Sequence, residues 1–368
     1  MDFTPTEAQL DLTRLTAEVC AKLVTADRIR ELDAEGRFDE TLWQSLAETG
    51  VLAAALPEAV GGGDFDALEQ SAVLRELGKH VAAVPYLWSI VVGAGALARF
   101  GSAAQQDWAR QAGAGDIILT AGLAEEHNWE PTKPTTTAHE ADGGWRLTGT
   151  KTTVPYADRA ARILVSATVS GAPALFLVDP TDATVEVTAQ RVVDFSAEFG
   201  VEFHDTPAEL VATVAEGAEI LDWTLTRAWL GLSAQQLGTL ERALELVADY
   251  ARERKQFGKA IGSFQAVAQR LADAYIDVQG LRLAVTQAAW RVSEDLASAE
   301  AVHTAKFWAA DAGHRVAHTV VHVHGGVGID RDHIVHNYFT AAKHNEFALG
   351  TATDHLRAIG SLLADTPA

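Results

Sequence analysis

Tyr250-Ala251-Arg252-Glu253-Arg254-Lys255-Gln256-Phe257-Gly258-Lys259, followed by Ile261-Gly262-Ser263-Phe264-Gln265, joins two long segments with helical apolar spacing. Before it, Trp223 to Arg254 reads as one helix. After it, Phe264, Val267, Leu271, Tyr275, Val278 and Leu281 put an apolar stripe on a second, running to about Glu294. Ala299 to Val321 predicts a third, and Tyr338 to Leu363 one or two more. Helices of this length with one apolar face bury it against one another, which predicts a bundle. Within the stretch, Arg254 offers a fork of donors suited to phosphate oxygens, Phe257 can pack on a ring, and Gly258 is the expected helix stop.

Upstream the pattern differs. Residues 6–113 read as shorter helices: Leu10, Leu12, Leu15 and Val19 in the first, Thr41 to Thr49 ending at Gly50, then Ala67 to Leu77 and Leu87 to Phe100. Residues 116–215 are rich in Thr and Val in short alternating runs. Trp145 to Lys151 alternates and meets a turn, Ile163 to Ala167 and Ala174 to Val178 read as buried strands, and Asp179-Pro180-Thr181-Asp182 separates these from Val185 to Thr188. The expected fold is α+β, with an N-terminal helical domain (1–114), a middle β-barrel (115–217) and a C-terminal four-helix bundle (218–368).

An excess of acidic residues gives the chain a formal charge of −21, which argues against nucleic acid and anionic membrane as main partners. No run of about 18 apolar residues predicts a membrane span, and Met1-Asp2-Phe3-Thr4-Pro5 lacks the basic, apolar pattern of a signal peptide. The single cysteine, Cys20, excludes a disulfide within the chain and suits a reducing cytoplasm; it is expected to be a buried small hydrophobe.

His322-Val323-His324-Gly325-Gly326-Val327-Gly328 is the second informative segment, because Gly325, Gly326 and Gly328 allow close backbone approach to an anion. Together with residues 250–265, and in the same helix–β–helix order, it resembles the flavin-binding pieces of the acyl-CoA dehydrogenase family. The resemblance covers essentially the whole chain. Within the family, Gly280 to Val292 and His314 to Gly328 are more similar to the heteromeric enzymes of bacterial steroid side-chain degradation, and there to the β-type subunit that pairs with a catalytic α-type subunit in an α2β2 tetramer.

The resemblance implies FAD as cofactor. In the family the two segments reach across a subunit interface to the adenylate and diphosphate of a neighbour's flavin. The matching positions are Arg254, Gln256, Phe257, His322, Gly325 and Gly326, with His322 standing where the family usually has Gln. The family's catalytic glutamate precedes a Gly-Thr pair; here Gly350-Thr351 is preceded by Leu349. A second family position for the base corresponds to about Ala228, and Thr224 to Thr239 contains no Asp or Glu. In the ring-contacting region, Thr153 replaces the flanking Trp, and Pro155 replaces a Thr or Ser and has no N–H to offer.

The implied function is a partner subunit of an FAD-dependent enzyme that desaturates a sterol side-chain acyl-CoA between its α and β carbons. This chain would carry no catalytic residue of its own. The other subunit would supply the base and bind most of the acyl-CoA, and electrons would pass to an electron-transferring flavoprotein. Two alternatives stay open: a non-catalytic scaffold of the same fold, and a homomeric dehydrogenase using Glu346, or His344, as base. Asp330, Asp332, His333 and His336 lack the spacing of a metal site, as does the His318, His322 and His324 set.

Overall fold

The computed structural model describes residues 3–365; the opening Met1-Asp2 and the last three residues of the 218–368 segment lie outside it. In chain order it contains α1 (Glu7–Leu23), α2 (Ala26–Glu35), α3 (Glu40–Glu48), α4 (Ala67–Lys79), a π-helical segment (Tyr86–Ala94), α5 (Gly95–Phe100) and α6 (Ala103–Gly113). Strands β1 (Ile118–Gly122), β2 (Thr137–Ala141), β3 (Gly144–Pro155), β4 (Ala160–Val169), β5 (Ala172–Val178), β6 (Val185–Gln190) and β7 (Glu198–Leu210) follow. The chain ends with α7 (Gly217–Glu253), β8 (Lys255–Gln256), β9 (Lys259–Ala260), α8 (Gln265–Ser293), α9 (Ala299–His324), α10 (Ile334–Phe347) and α11 (Ala352–Asp365). No helix among the described residues is long and apolar enough to cross a membrane. Two compact units result, one of residues 1–31, 71–82 and 229–368, the other of residues 32–70 and 83–228.

The second unit is built on a seven-stranded sheet. Its pairings run β1-β4-β2-β3-β7-β5, and β5 pairs again with β4, so five strands close on themselves while β6 adds to β7. Leu147, Ile163, Val165, Phe176, Val178, Val201 and Phe203 fill the interior; the period-2 alternation of these strands sends them to one face. β3 runs on beyond the turn expected near Lys151. Gly149 is required there not by a turn but by a close approach, since a Cβ on it would lie 2.8 Å from Thr136. The π-helical segment packs on β1, where the Ser89 hydroxyl accepts the Leu119 N–H at 3.0 Å.

The first unit is the long-helix bundle. α7 begins six residues before the position expected from sequence, and it ends at Glu253. Cys20 is fully buried in α1, as expected. α4 meets α7 through two glycines: a Cβ on Gly78 would lie 2.1 Å from the Gln235 carbonyl oxygen, and one on Gly238 would lie 1.8 Å from that of Arg75. Buried Gln236 then ties three helices together, donating to the Ala309 carbonyl (3.2 Å) and the Ala342 carbonyl (3.1 Å) and accepting from Asn345 (3.2 Å).

Gly238→Ala forces those two backbones apart. It is expected to lower the stability of the purified protein by about 1–3 kcal/mol, the usual cost of overpacking, read as the shift in urea midpoint. An unchanged midpoint would contradict the close approach.

Candidate functional site

α7 ends one turn after Tyr250, where the Arg254 N–H bonds the Tyr250 carbonyl at 2.8 Å. The chain then folds into a hairpin: Gln256 pairs with Lys259, Lys255 with Ala260, and the Ile261 N–H closes the base on the Arg254 carbonyl at 2.8 Å. Gly258 is therefore not the helix stop expected from sequence. It and Phe257 are the two central residues of the turn, with φ of +81° and +51°, the combination a two-residue hairpin needs. Glycine adopts it freely; phenylalanine is strained there. The Phe257 ring is 92% exposed and meets only the edge of Phe264, 6.1 Å between centroids. Arg254 and Gln256 are exposed, and among the described residues the Arg254 guanidinium has no partner. With Lys255 and Lys259 this hairpin concentrates positive charge on an acidic protein.

α9 ends at His324 and turns through Gly325, whose φ is +65°. A Cβ on Gly325 or Gly326 would meet nothing within 4 Å, whereas one on Gly328 would lie 2.9 Å from the Val321 carbonyl oxygen. Gly328 is thus demanded by packing, and the Gly325-Gly326 backbone faces open space. His322 is exposed beside it. The two segments are brought together by rings that the sequence reading did not single out: Tyr250 stacks on His324 with centroids 4.4 Å apart and planes 25° apart. The available signal was an aromatic one turn before Arg254 and a histidine directly before the double glycine. A free guanidinium, an open glycine backbone and an exposed ring are the groups that a nucleotide diphosphate takes, so these residues fit the tail of a dinucleotide.

Elsewhere in the same unit, the backbone around Leu349 is held firmly. Leu349 has φ of +50°. Its carbonyl accepts the Trp229 indole N–H at 2.9 Å, and the Lys306 ammonium donates to the carbonyls of Gly350 (2.9 Å) and Asn345 (3.2 Å). Thr351 caps α11 by giving its N–H and hydroxyl to the Asp354 carboxylate at 2.9 and 2.7 Å. His303 and His355 share a proton between Nδ1 atoms 2.8 Å apart, with the Trp229 indole packed on both rings. Burial pushes the Lys306 amine down to about 7, against the pull of Glu346 and Asp354. Burial, then the charges of Lys306 and His303, push His355 down to about 2, with the Leu349 backbone acting the other way. The side chain presented by this turn is an alkyl group. Glu346 is engaged elsewhere, bound to Lys343 at 2.5 Å and to His314 at 3.1 Å.

In the β unit, the region expected to face a flavin ring is crosslinked internally. The Glu125 carboxylate accepts six hydrogen bonds: from the N–H and hydroxyl of Thr135 and of Thr136 (2.6–2.8 Å), from Asn128 at 2.9 Å, and from Lys151 at 2.6 Å. Lys151 is fully buried and also donates to Ser166 at 3.0 Å. Burial alone would raise the Glu125 carboxyl; the Lys151 ammonium and these donors outweigh it and hold it well below the carboxylate range. Burial lowers Lys151 to about 8 while Glu125 pulls it up. Thr153 sits on a bulge with φ of +47°, its N–H taken by Gln190 at 2.8 Å, and Pro155 is buried.

Comparison with known proteins gives one direction throughout. The family model "Acyl-CoA dehydrogenase, N-terminal domain" matches residues 6–115 and "Acyl-CoA dehydrogenase, C-terminal domain" matches 215–363. The acyl-CoA dehydrogenase FadE27 of Mycobacterium tuberculosis is 51% identical, with all of both chains covered. A chain in the crystal structure of the ChsE4-ChsE5 complex from Mycobacterium tuberculosis superposes with a TM-score of 0.95 at 50% identity, again over all of both chains. A Tcur3481-Tcur3483 steroid acyl-CoA dehydrogenase variant superposes with a TM-score of 0.93 at 37% identity over 98% of each.

The buried His355 makes stability pH-dependent. Its folded pKa lies below the ordinary histidine value, so the unfolded chain binds more protons between about 6.5 and 2, and stability falls as pH drops through that window. Denaturation midpoints measured from pH 7 to 4.5 should decline, and His355→Phe should flatten the decline. An equally steep profile in the variant would contradict this assignment.

Proposed function

This chain belongs to the acyl-CoA dehydrogenase family, whose members bind FAD, and from that premise we propose that it is the partner subunit of a heteromeric FAD-dependent acyl-CoA dehydrogenase acting on a sterol side-chain thioester. One observation carries the reading. Trp229, which holds the Leu349 turn, and Glu253, beside Arg254, are two positions on the same uninterrupted helix, and 24 residues of helix span about 36 Å. An extended dinucleotide does not bridge that distance. The hairpin and the Leu349 turn of one chain therefore serve different flavins, and only the hairpin has kept its functional side chains.

When bound, FAD takes the hydride that leaves the acyl β-carbon as a carboxylate removes the α-proton. Arg254 would neutralise the diphosphate, the open Gly325 and Gly326 backbone would approach it, His322 and Gln256 would donate hydrogen bonds, and Phe257 would pack on the adenine. Leu349 takes no proton, so the base, the ring platform and most of the acyl pocket come from the other subunit. The strained, exposed Phe257 supports a contact with another molecule. So do Tyr275, Ile276 and Leu283 on α8, which are 56%, 64% and 69% exposed. The names of the similar structures, a ChsE4-ChsE5 complex and a steroid acyl-CoA dehydrogenase, favour a heteromer and a steroid substrate. An α2β2 assembly in the cytoplasm, passing electrons to an electron-transferring flavoprotein, completes the proposal.

Co-expression with the partner should give a yellow, active complex, and this chain alone should give neither colour nor turnover; full activity from this chain alone would refute the proposal. In the complex, Arg254→Ala should weaken FAD binding by about 10- to 100-fold, as expected for losing a charge-assisted bond. A scaffold of the same fold would show no change. A homomeric enzyme with Glu346 as base would lose turnover in Glu346→Gln, whereas here the variant should retain it, because Glu346 serves Lys343 and His314.

A further inference from the structure

We infer that Tyr250 and His324 are positioning residues for the nucleotide: their ring stack locks the 254–261 hairpin and the 322–328 loop together as a single clamp. The inference rests on the reading that these segments hold the nucleotide tail.

Each ring is rooted in one jaw. The Tyr250 carbonyl accepts the Arg254 N–H, so the residue that stacks is also the one on which the hairpin's first residue hangs. His324 is the last residue of α9, only 5% exposed, and the loop folds back over it: a Cβ on Gly328 would lie 3.0 Å from the His324 Cβ. The His324 Nδ1 lies 2.8 Å from the Val320 carbonyl, which can only accept, so Nδ1 carries the proton and the ring plane is fixed. The ring also meets His333, 5.6 Å between centroids, whose own Nδ1 accepts the Val335 N–H at the start of α10. Burial shifts His324 toward the neutral imidazole. Neither side chain needs to touch the nucleotide. Arg254, Phe257 and His322 are exposed, and without the stack the two jaws would be less well ordered relative to one another before binding, with a loss of affinity.

FAD binding to the apo-complex with its partner subunit, followed by flavin fluorescence, tests this. Tyr250→Ala should raise the Kd about tenfold, the size of a lost ring stack plus the disorder it allows. Tyr250→Phe should restore affinity, since the ring and not the hydroxyl does the work. In an Arg254→Ala background Tyr250→Ala should cost less than it does alone, because part of its effect acts through Arg254. An unchanged Kd in Tyr250→Ala, or losses that multiply fully in the double variant, would overturn the inference. Should Tyr250→Ala fail to fold, His324→Gln carries the same expectation and the same refutation. An unaffected Kd in Arg254→Ala alone would instead remove the underlying reading.

Discussion

One unbroken helix sets the scale of the functional unit. From Trp229 to Glu253, α7 has no proline and no break, so the turn it supports at one end and the hairpin it carries at the other are held apart by a rigid rod. Its middle is pinned by the glycine contact with α4 and by Gln236, which reaches two other helices. The two ends cannot drift toward one another.

The turn at Leu349 and the crosslink at Glu125 are each held by a fully buried lysine. The Leu349 turn has a positive φ and is held by two buried donors, Trp229 and Lys306, through three hydrogen bonds, and its side chain can transfer no proton. In the β unit, Glu125 and Lys151 crosslink β3 to the segment after β1, two residues from Thr153, whose N–H goes to Gln190. Both networks bury a lysine whose charge is disfavoured by its surroundings. Such groups are costly to leave unpaired and strongly destabilising to break.

Much of this was legible in sequence. Helical periodicity located α7, α8 and α9, and the Thr- and Val-rich alternation located the strands, because apolar burial imposes period 3.6 on one and period 2 on the other. The positions of Arg254, His322, Gly325 and Gly326 came from motif resemblance rather than from periodicity. Two local readings failed for the same reason. A turn was expected near Lys151 and a helix stop at Gly258, but Gly149 marks a strand crossing close to Thr136 and Gly258 is half of a hairpin turn. A glycine reports that space or φ is unusual and does not say which. The Glu125–Lys151 pair was not legible, and the Tyr250–His324 stack left only the faint signal of an aromatic one turn before Arg254 and a histidine before the double glycine, since each pair joins residues far apart in the chain.

The most direct measurement is photolabelling of the two-subunit complex with an FAD analogue bearing an azide on its adenine, followed by mass spectrometry of the crosslinked peptides. Label on this chain at the 254–258 hairpin or the 322–326 loop is the predicted result. Label confined to the other subunit would contradict the proposal that this chain holds the nucleotide tail of a neighbour's flavin.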